Sequence, residues 1–270
     1  MILLYLLVPA AYLAAAVLEW RRLAPGAGAA SQRTAPSTPW LIALALAGHA
    51  VLVVGAVVTP EGLDVSLANA LSAVAGLTAL FAGLGGFARA LPGVTAVALP
   101  VAAIAVPLPA VFPNPHRFSL ADEPWAVLHI AVALTAYALL IVAALQALLL
   151  LGLERRLHRG LPEPSAQGLP PLLTLERFLF RLVDAGFVLL TLTLVSGALF
   201  SEQLFGKPLQ FTHKIVFSVL GWLVFGALVF GRHRYGWRGR SALRWVLAGT
   251  GLLFLAYVGS KFVLEVLLGR

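Results

Sequence analysis

The sequence predicts an all-α fold, a polytopic membrane bundle of about eight transmembrane helices. Of its 270 residues, 60% are hydrophobic and only 11% are charged, whereas a soluble domain needs about a quarter of its residues charged. The apolar residues form long runs near the roughly 20 residues that a helix needs to cross a bilayer. The basic residues fall in the connections between these runs. One transmembrane domain over residues 1–270 is therefore predicted.

The predicted spans differ in how clearly they are marked. The first is followed by Arg21 and Arg22, whereas a signal peptide carries its positive charge before the apolar run, so a true span is expected. The third contains polar residues and Gly that lower its hydropathy, so a re-entrant or cavity-lining helix remains an alternative interpretation of this span. Three prolines in the fourth predict a kinked or early-ending helix. The spans are 2–19, 40–58, 66–87, 93–111, 125–153, 178–200, 209–231 and 242–266.

Basic residues alternate between the two sides of the bundle. Those after the odd-numbered spans are Arg21, Arg22, Arg33, Arg89, Arg155, Arg156, Arg159, Arg177, Arg232, Arg234, Arg238 and Arg240, against Arg117, Lys207 and Arg270 on the other side. Because cytoplasmic loops are enriched in Lys and Arg, both termini are predicted outside the cytoplasm of a bacterial inner (plasma) membrane. The same loops favour anionic lipid as a partner. The net charge of +8 therefore indicates orientation and lipid contact, not nucleic-acid binding.

Several kinds of chemistry are excluded by what the sequence lacks. It has no Cys, so thiol redox, thiolate haem ligation and iron–sulfur clusters are not chemistry of this chain. It has no His-Glu-x-x-His, phosphate loop or Gly-x-Ser-x-Gly motif, which removes the common hydrolase and nucleotidase signatures. Ser196 and Gly197 have the small side chains typical of helix-packing positions.

Two histidines begin spans on the weakly charged side. His129 opens the fifth span and shares a helical face with small residues, with Tyr137 about two turns further along; an interfacial His held by water or a carbonyl is the competing interpretation. His213 opens the seventh span beside Lys214, where ordinary interfacial anchoring competes. Together, two imidazoles entering from one side are the donor set of a bis-His haem site, in which Lys214 pairs with a propionate.

Three other polar residues have weaker functional interpretations. His49, in the middle of the second span, either hydrogen-bonds to a neighbouring helix or lines a ligand path. His116 lies in an outer loop and is expected to be solvated. Asp184 follows Arg181 by three residues in the sixth span, which predicts an ion pair on the helix surface.

Three segments carry a family resemblance. They are residues 128–138 (LHIAVALTAYA), 212–225 (THKIVFSVLGWLVF) and 234–240 (RYGWRGR). They resemble the cytochrome c assembly superfamily of haem-handling membrane proteins, and within it the YpjD-like and HemX-like group, over most of residues 40–270. The resemblance implies an inner-membrane bundle that handles haem at its external face, with His129 matching the family's external histidine motif.

The sequence departs from the family's cytochrome c synthases in two respects. The external loop at 201–210 contains no Trp, so the Trp-rich motif is missing, and residues 258–265 contain no counterpart of the second external His. These losses weigh against enzyme activity. We therefore expect a haem-binding or haem-passing protein of cytochrome c assembly, with haem b as cofactor and cytochrome c maturation proteins as partners. Its candidate site residues are His129 and His213 as axial ligands, with Lys214, Tyr137 and His49 nearby.

Two other functions stay open from the sequence. One is a cofactor-free regulatory or scaffolding protein of the same fold that influences haem synthesis, as HemX-like relatives suggest. The other is a small-solute transporter, which gains support only from His49 and the Pro-rich fourth span.

Overall fold

The computed structural model describes residues 2–23, 37–60, 62–87, 93–113, 117–118, 124–158, 171–199 and 212–259. Eight of its helical stretches are long and apolar enough to cross a membrane, which confirms the predicted all-α polytopic bundle. The helices are α1 Ile2–Leu23, α2 Ser37–Val57, α3 Leu67–Phe87, α4 Val94–Ala105, α5 Leu108–Val111, α6 Pro124–His158, α7 Leu172–Leu199, α8 His213–Tyr235 and α9 Gly239–Phe254, with a π-helical turn at Leu255–Gly259.

The fourth span is interrupted, as its prolines predict. Helix α4 ends at Ala105, and a turn at Val106 and Pro107 leads into the single turn of α5. Pro107 has no N–H to continue the helical hydrogen bonds, so the regular hydrogen-bond series of the helix is interrupted there. Helix α3, by contrast, is continuous over 21 residues, long enough to cross a bilayer. Its buried Thr78 hydroxyl donates to the Val74 carbonyl at 2.7 Å, so this polar side chain is satisfied within its own helix.

The helices pack around two buried clusters. The first joins α1 and α2 with parts of α3 and α4, and includes the fully buried Tyr12. The second joins α6, α7, α8 and α9 and also receives Ala82 of α3 and Val94 of α4. Helices α3 and α4 thus contribute to both clusters and connect the two halves of the bundle.

Helices α6 and α7 pack against each other within the second cluster. Gly186 of α7 lies directly against Leu140 of α6, where an added Cβ would be 2.7 Å from Leu140 Cδ2. This antiparallel pairing brings the start of α6 beside the end of α7. We call the end of the bundle that holds the starts of α6 and α8 the His129 end. The opposite end, which holds Glu154, Glu176, Arg232 and Arg240, is the arginine-rich end.

A small antiparallel sheet of order β1-β2-β3 connects loops beside α2 and α3. Its strands are β1 Val58–Thr59, β2 Gly62–Asp64 and β3 Arg117–Phe118. Val58 pairs with Leu63, which in turn pairs with Phe118. The sheet therefore ties the connection after α2 to the loop that precedes α6.

The RYGWRGR segment forms a compact helix-capping loop. Gly236, at φ 66°, is the left-handed residue that ends α8, and its N–H bonds to the carbonyls of Arg232 and Gly231. The Trp237 N–H bonds to the Gly231 carbonyl at 3.2 Å, which completes a Schellman-type cap. The Trp237 ring lies against Gly231, where an added Cβ would be 2.5 Å from Cδ2. This part of the family-like sequence therefore has a structural role at the arginine-rich end.

Candidate functional site at the His129 end

His129 is held by a hydroxyl of the neighbouring helix. Its Nδ1 lies 2.7 Å from Ser196 Oγ of α7, and the Ser196 hydroxyl donates to the Thr193 carbonyl at 3.1 Å. Gly197 faces the imidazole, since an added Cβ there would be 3.4 Å from His129 Cε1. Nε2 makes no hydrogen bond within the described ranges. The ring is thus fixed on one side and half-buried, with its second nitrogen left available.

Two tyrosines and a lysine lie at the same end. The Lys214 ammonium, in the first turn of α8, is 5.6 Å from the centre of the Tyr257 ring and close enough to His129 for their charges to interact. Tyr257 contacts Tyr137 edge-on, with ring centroids 5.9 Å apart. The Tyr137 hydroxyl donates to the Leu253 carbonyl at 3.3 Å and also meets the Ser218 side chain. Helices α6, α7 and α8 and the π-helical turn therefore converge here.

His213 is at this end of the bundle, and its side chain is exposed rather than held by the cluster. It is the first residue of α8, beside Lys214, and its side chain is exposed. It forms no hydrogen bond or ion pair with any residue in the described part of the chain. Its imidazole is therefore available to a ligand but is not positioned by a neighbouring side chain, in contrast to His129.

His49 belongs to the other half of the bundle. It is 1% exposed, with Nδ1 3.1 Å from the Tyr12 hydroxyl and Nε2 3.0 Å from Ser72 Oγ. Gly76 leaves room for the ring, because an added Cβ would be 3.1 Å from Cε1. Both nitrogens are already bonded, so the geometry favours the hydrogen-bonded interpretation of His49 over the ligand path.

The predicted Arg181–Asp184 ion pair is wrong. Arg181 is exposed on α7, and the buried Oδ1 of Asp184 makes no hydrogen bond within the described residues. The basic side chains close enough to influence Asp184 are His233 and Arg232 of α8. Arg232 is held by Glu176 at 3.6 Å, by the Trp237 carbonyl at 3.0 Å and by the face of Phe180 at 4.2 Å. His116 lies outside the described residues, so its predicted solvation stays a prediction.

The sequence interpretation missed two residues of the site, Ser196 and Tyr257. Ser196 was assigned only a packing role, although an antiparallel α6/α7 hairpin places the end of α7 at the depth of His129. Tyr257 had no signal of its own, because a π-helical turn changes which face its side chain occupies. Among the described residues, no group of three or more His, Asp or Glu side chains could hold a bare metal ion.

Comparison with known proteins gives the family. A family model described as "Cytochrome C assembly protein" matches residues 39–268. The "Inner membrane protein YpjD" of Escherichia coli (strain K12) is 37% identical over 155 residues, 57% of this chain and 58% of that protein. An "Uncharacterized 28.8 kDa protein in nifR3-like 5'region" of Azospirillum brasilense is 41% identical over 145 residues, 54% of each chain.

A more distant relative is named for its role in cytochrome c biogenesis. The "Cytochrome c biogenesis protein CcsA" of Thermosynechococcus vestitus is 26% identical over 170 residues, 50% of this chain and 53% of that protein. In these alignments the chain spans little more than half the length of its curated relatives. No solved structure matches. With the family model covering most of its length and eight helices suited to a membrane, this multi-pass inner-membrane protein belongs to the cytochrome c assembly protein family.

Proposed function

We propose that the protein binds haem at the His129 end, on the extracytoplasmic side, and retains it or passes it on during cytochrome c assembly. The observation that supports this proposal best is that His129 and Tyr137 of α6, Lys214 of α8 and Tyr257 of the π-helical turn come together at one end of the bundle. Membership of the cytochrome c assembly family supports haem as the ligand, and the name of the CcsA relative points the same way.

The residues present fit a haem group by their chemistry. Within the described residues, Nε2 of His129 has no protein partner, and Gly197 presents no side chain to the imidazole. Lys214 supplies a cation suited to a propionate. His129 and His213 would hold the haem iron, and Tyr137 would form part of the wall. Bound as haem b, the group would supply an iron that binds imidazole nitrogen.

Absorbance of the purified protein titrated with haem tests the ligands. We expect a bis-His Soret and α/β spectrum in the wild type that His129→Ala and His213→Ala each abolish or change. His233→Ala is the matched control, because His233 is on α8 with His213 but is exposed at the arginine-rich end. A normal spectrum in both of the first two variants would overturn the ligand assignment. Haem-free wild type after expression with excess haem would favour the scaffolding alternative.

The side of the membrane on which the His129 end lies can be tested separately. The chain contains no Cys, so an introduced Cys would be its only thiol. Single Thr212→Cys and Arg238→Cys variants place one thiol at each end of the bundle, and both positions are exposed. A membrane-impermeant maleimide added to spheroplasts should label Thr212→Cys alone. Labelling of Arg238→Cys alone would place the His129 end in the cytoplasm and overturn the proposed face.

We also infer that the arginine-rich end contacts anionic lipid headgroups. Its exposed basic residues include Arg155, Arg177, Arg181, Arg238 and Arg244. Each such residue near an anionic surface contributes about 1 kcal/mol of attraction. Replacing these five by Gln should remove co-purified anionic lipid, detected by mass spectrometry of the extracted protein, whereas unchanged lipid content would contradict the inference.

A further inference from the structure

The position of the hydrogen on His129 follows from the hydroxyl beside it. Ser196 Oγ is 3.1 Å from the Thr193 carbonyl and 2.7 Å from His129 Nδ1. A serine hydroxyl has a single hydrogen to donate and lone pairs that accept. The Thr193 carbonyl can only accept, so both contacts are hydrogen bonds only when the Ser196 hydrogen is directed to that carbonyl. The lone pairs of Oγ are then left to face His129.

A lone pair on Oγ requires a hydrogen on the nitrogen opposite. Nδ1 of His129 is therefore the protonated nitrogen of the neutral ring, and Nε2 carries the lone pair. The hydrogen bond made by one ring nitrogen of a histidine generally decides which nitrogen is protonated and which is free to bind a metal.

We propose that Ser196 is a positioning residue that fixes His129 in the Nδ1–H tautomer and so makes Nε2 its ligand atom. The part of this proposal that concerns iron rests on the proposed haem function, whereas the tautomer does not. Partners of this kind hold the ring orientation and raise the basicity of the ligand nitrogen. Gly197, the next residue, also faces the ring, so two consecutive small residues of α7 lie beside one imidazole.

Nitrogen NMR of the ligand-free protein, labelled at histidine and held in nanodiscs, tests the tautomer directly. Comparison with His129→Gln assigns the His129 signals. In the wild type we expect Nδ1 to be the protonated nitrogen and Nε2 the unprotonated one. Ser196→Ala should give a mixture of both tautomers, and Ser196→Thr, which keeps the hydroxyl, should restore the wild-type pattern.

The matched control is Thr135→Val. Thr135 is on α6 with His129, and its hydroxyl donates to the Ala131 carbonyl of its own helix at 2.7 Å. This variant removes a back-bonded hydroxyl near the site without changing the contact to the imidazole. We expect it to leave the His129 tautomer as in the wild type.

Haem titration supplies the second readout. Ser196→Ala should weaken haem binding by about 10- to 100-fold, the usual effect of losing such a partner, with recovery in Ser196→Thr. A wild-type ring protonated on Nε2, or a Ser196→Ala ring with an unchanged tautomer, overturns the proposal. If the wild type shows the Nδ1–H tautomer but binds no haem, the positioning role stands and the proposed haem function fails.

Discussion

Removal of the His49 side chain should destabilise the first half of the bundle. The ring links three helices, with α1 bonded through Tyr12 at 3.1 Å and α3 through Ser72 at 3.0 Å. Because His49 is 1% exposed, His49→Ala leaves a buried cavity and two hydroxyls without their partner. The loss therefore has a packing part and a hydrogen-bonding part.

The two parts set the expected magnitude. Side-chain hydrogen bonds between membrane helices contribute about 0.6 kcal/mol each, so the two bonds contribute about 1.2 kcal/mol. A ring-sized truncation in a core adds at least about 2 kcal/mol. His49→Ala should therefore lower the free energy of unfolding by about 3 kcal/mol. Tyr12→Phe, which removes one bond and little volume, should cost about 0.6–1.7 kcal/mol.

Reversible unfolding in mixed detergent micelles or bicelles measures both variants. The reasoning is refuted if His49→Ala unfolds within about 0.5 kcal/mol of the wild type, the usual range of surface substitutions, or if Tyr12→Phe costs as much as His49→Ala. The same samples test the ligand-path interpretation of His49. We expect His49→Ala to keep the wild-type haem spectrum, and selective loss of that spectrum at unchanged stability would show that His49 contacts the ligand.

Two further predictions concern the second half of the bundle. Gly186→Val places a Cβ 2.7 Å from Leu140 Cδ2, and this variant should lower the free energy of unfolding by about 1–3 kcal/mol. Gly152→Ala, with nothing within 4 Å of the added Cβ, should raise the free energy of unfolding by up to about 1 kcal/mol. Equal effects of the two variants would contradict the packing argument. Arg240→Ala removes the ion pair to Glu154, 3.1 Å long, in which the Arg240 side chain is 45% exposed. Thermal unfolding should therefore show a loss of at most about 1 kcal/mol in the free energy of unfolding. Arg232→Ala removes contacts to an acid, a carbonyl and a ring, so its loss should be the larger, and a smaller one would refute this ranking.

The sequence was sufficient for the spans, because an apolar run that must satisfy its own backbone in lipid has few alternatives to a helix. The break near Pro107 followed from the same reasoning. The sixth span was placed too late, at residue 178, whereas α7 begins at Leu172. Glu176 and Arg177 lower the hydropathy of the first two turns of α7, and the stabilising Glu176–Arg232 pair depends on a helix distant in sequence.

The site was harder to predict than the fold. His129 and Lys214 were found because an ionisable residue at the edge of a span is conspicuous. Ser196 was not found, because serines are common on apolar helices and the role of this one depends on His129, which lies opposite it on another helix. The Arg181–Asp184 prediction failed for a related reason: spacing along one helix shows which side chains can meet but not whether they do, and here Arg181 is exposed while Asp184 lies near basic side chains of α8.

Helix α6 is long enough to keep molecules that bind at its two ends apart. The helix has 35 residues, and at 1.5 Å per residue His129 and Glu154 are about 38 Å apart along it. That separation exceeds the roughly 30 Å hydrocarbon layer of a bilayer. A soluble protein that docks against Arg240 therefore cannot reach a molecule held at His129. Any donor or acceptor that exchanges a ligand with His129 has to approach from its own side of the membrane, and communication between the two sides has to travel through the helices themselves.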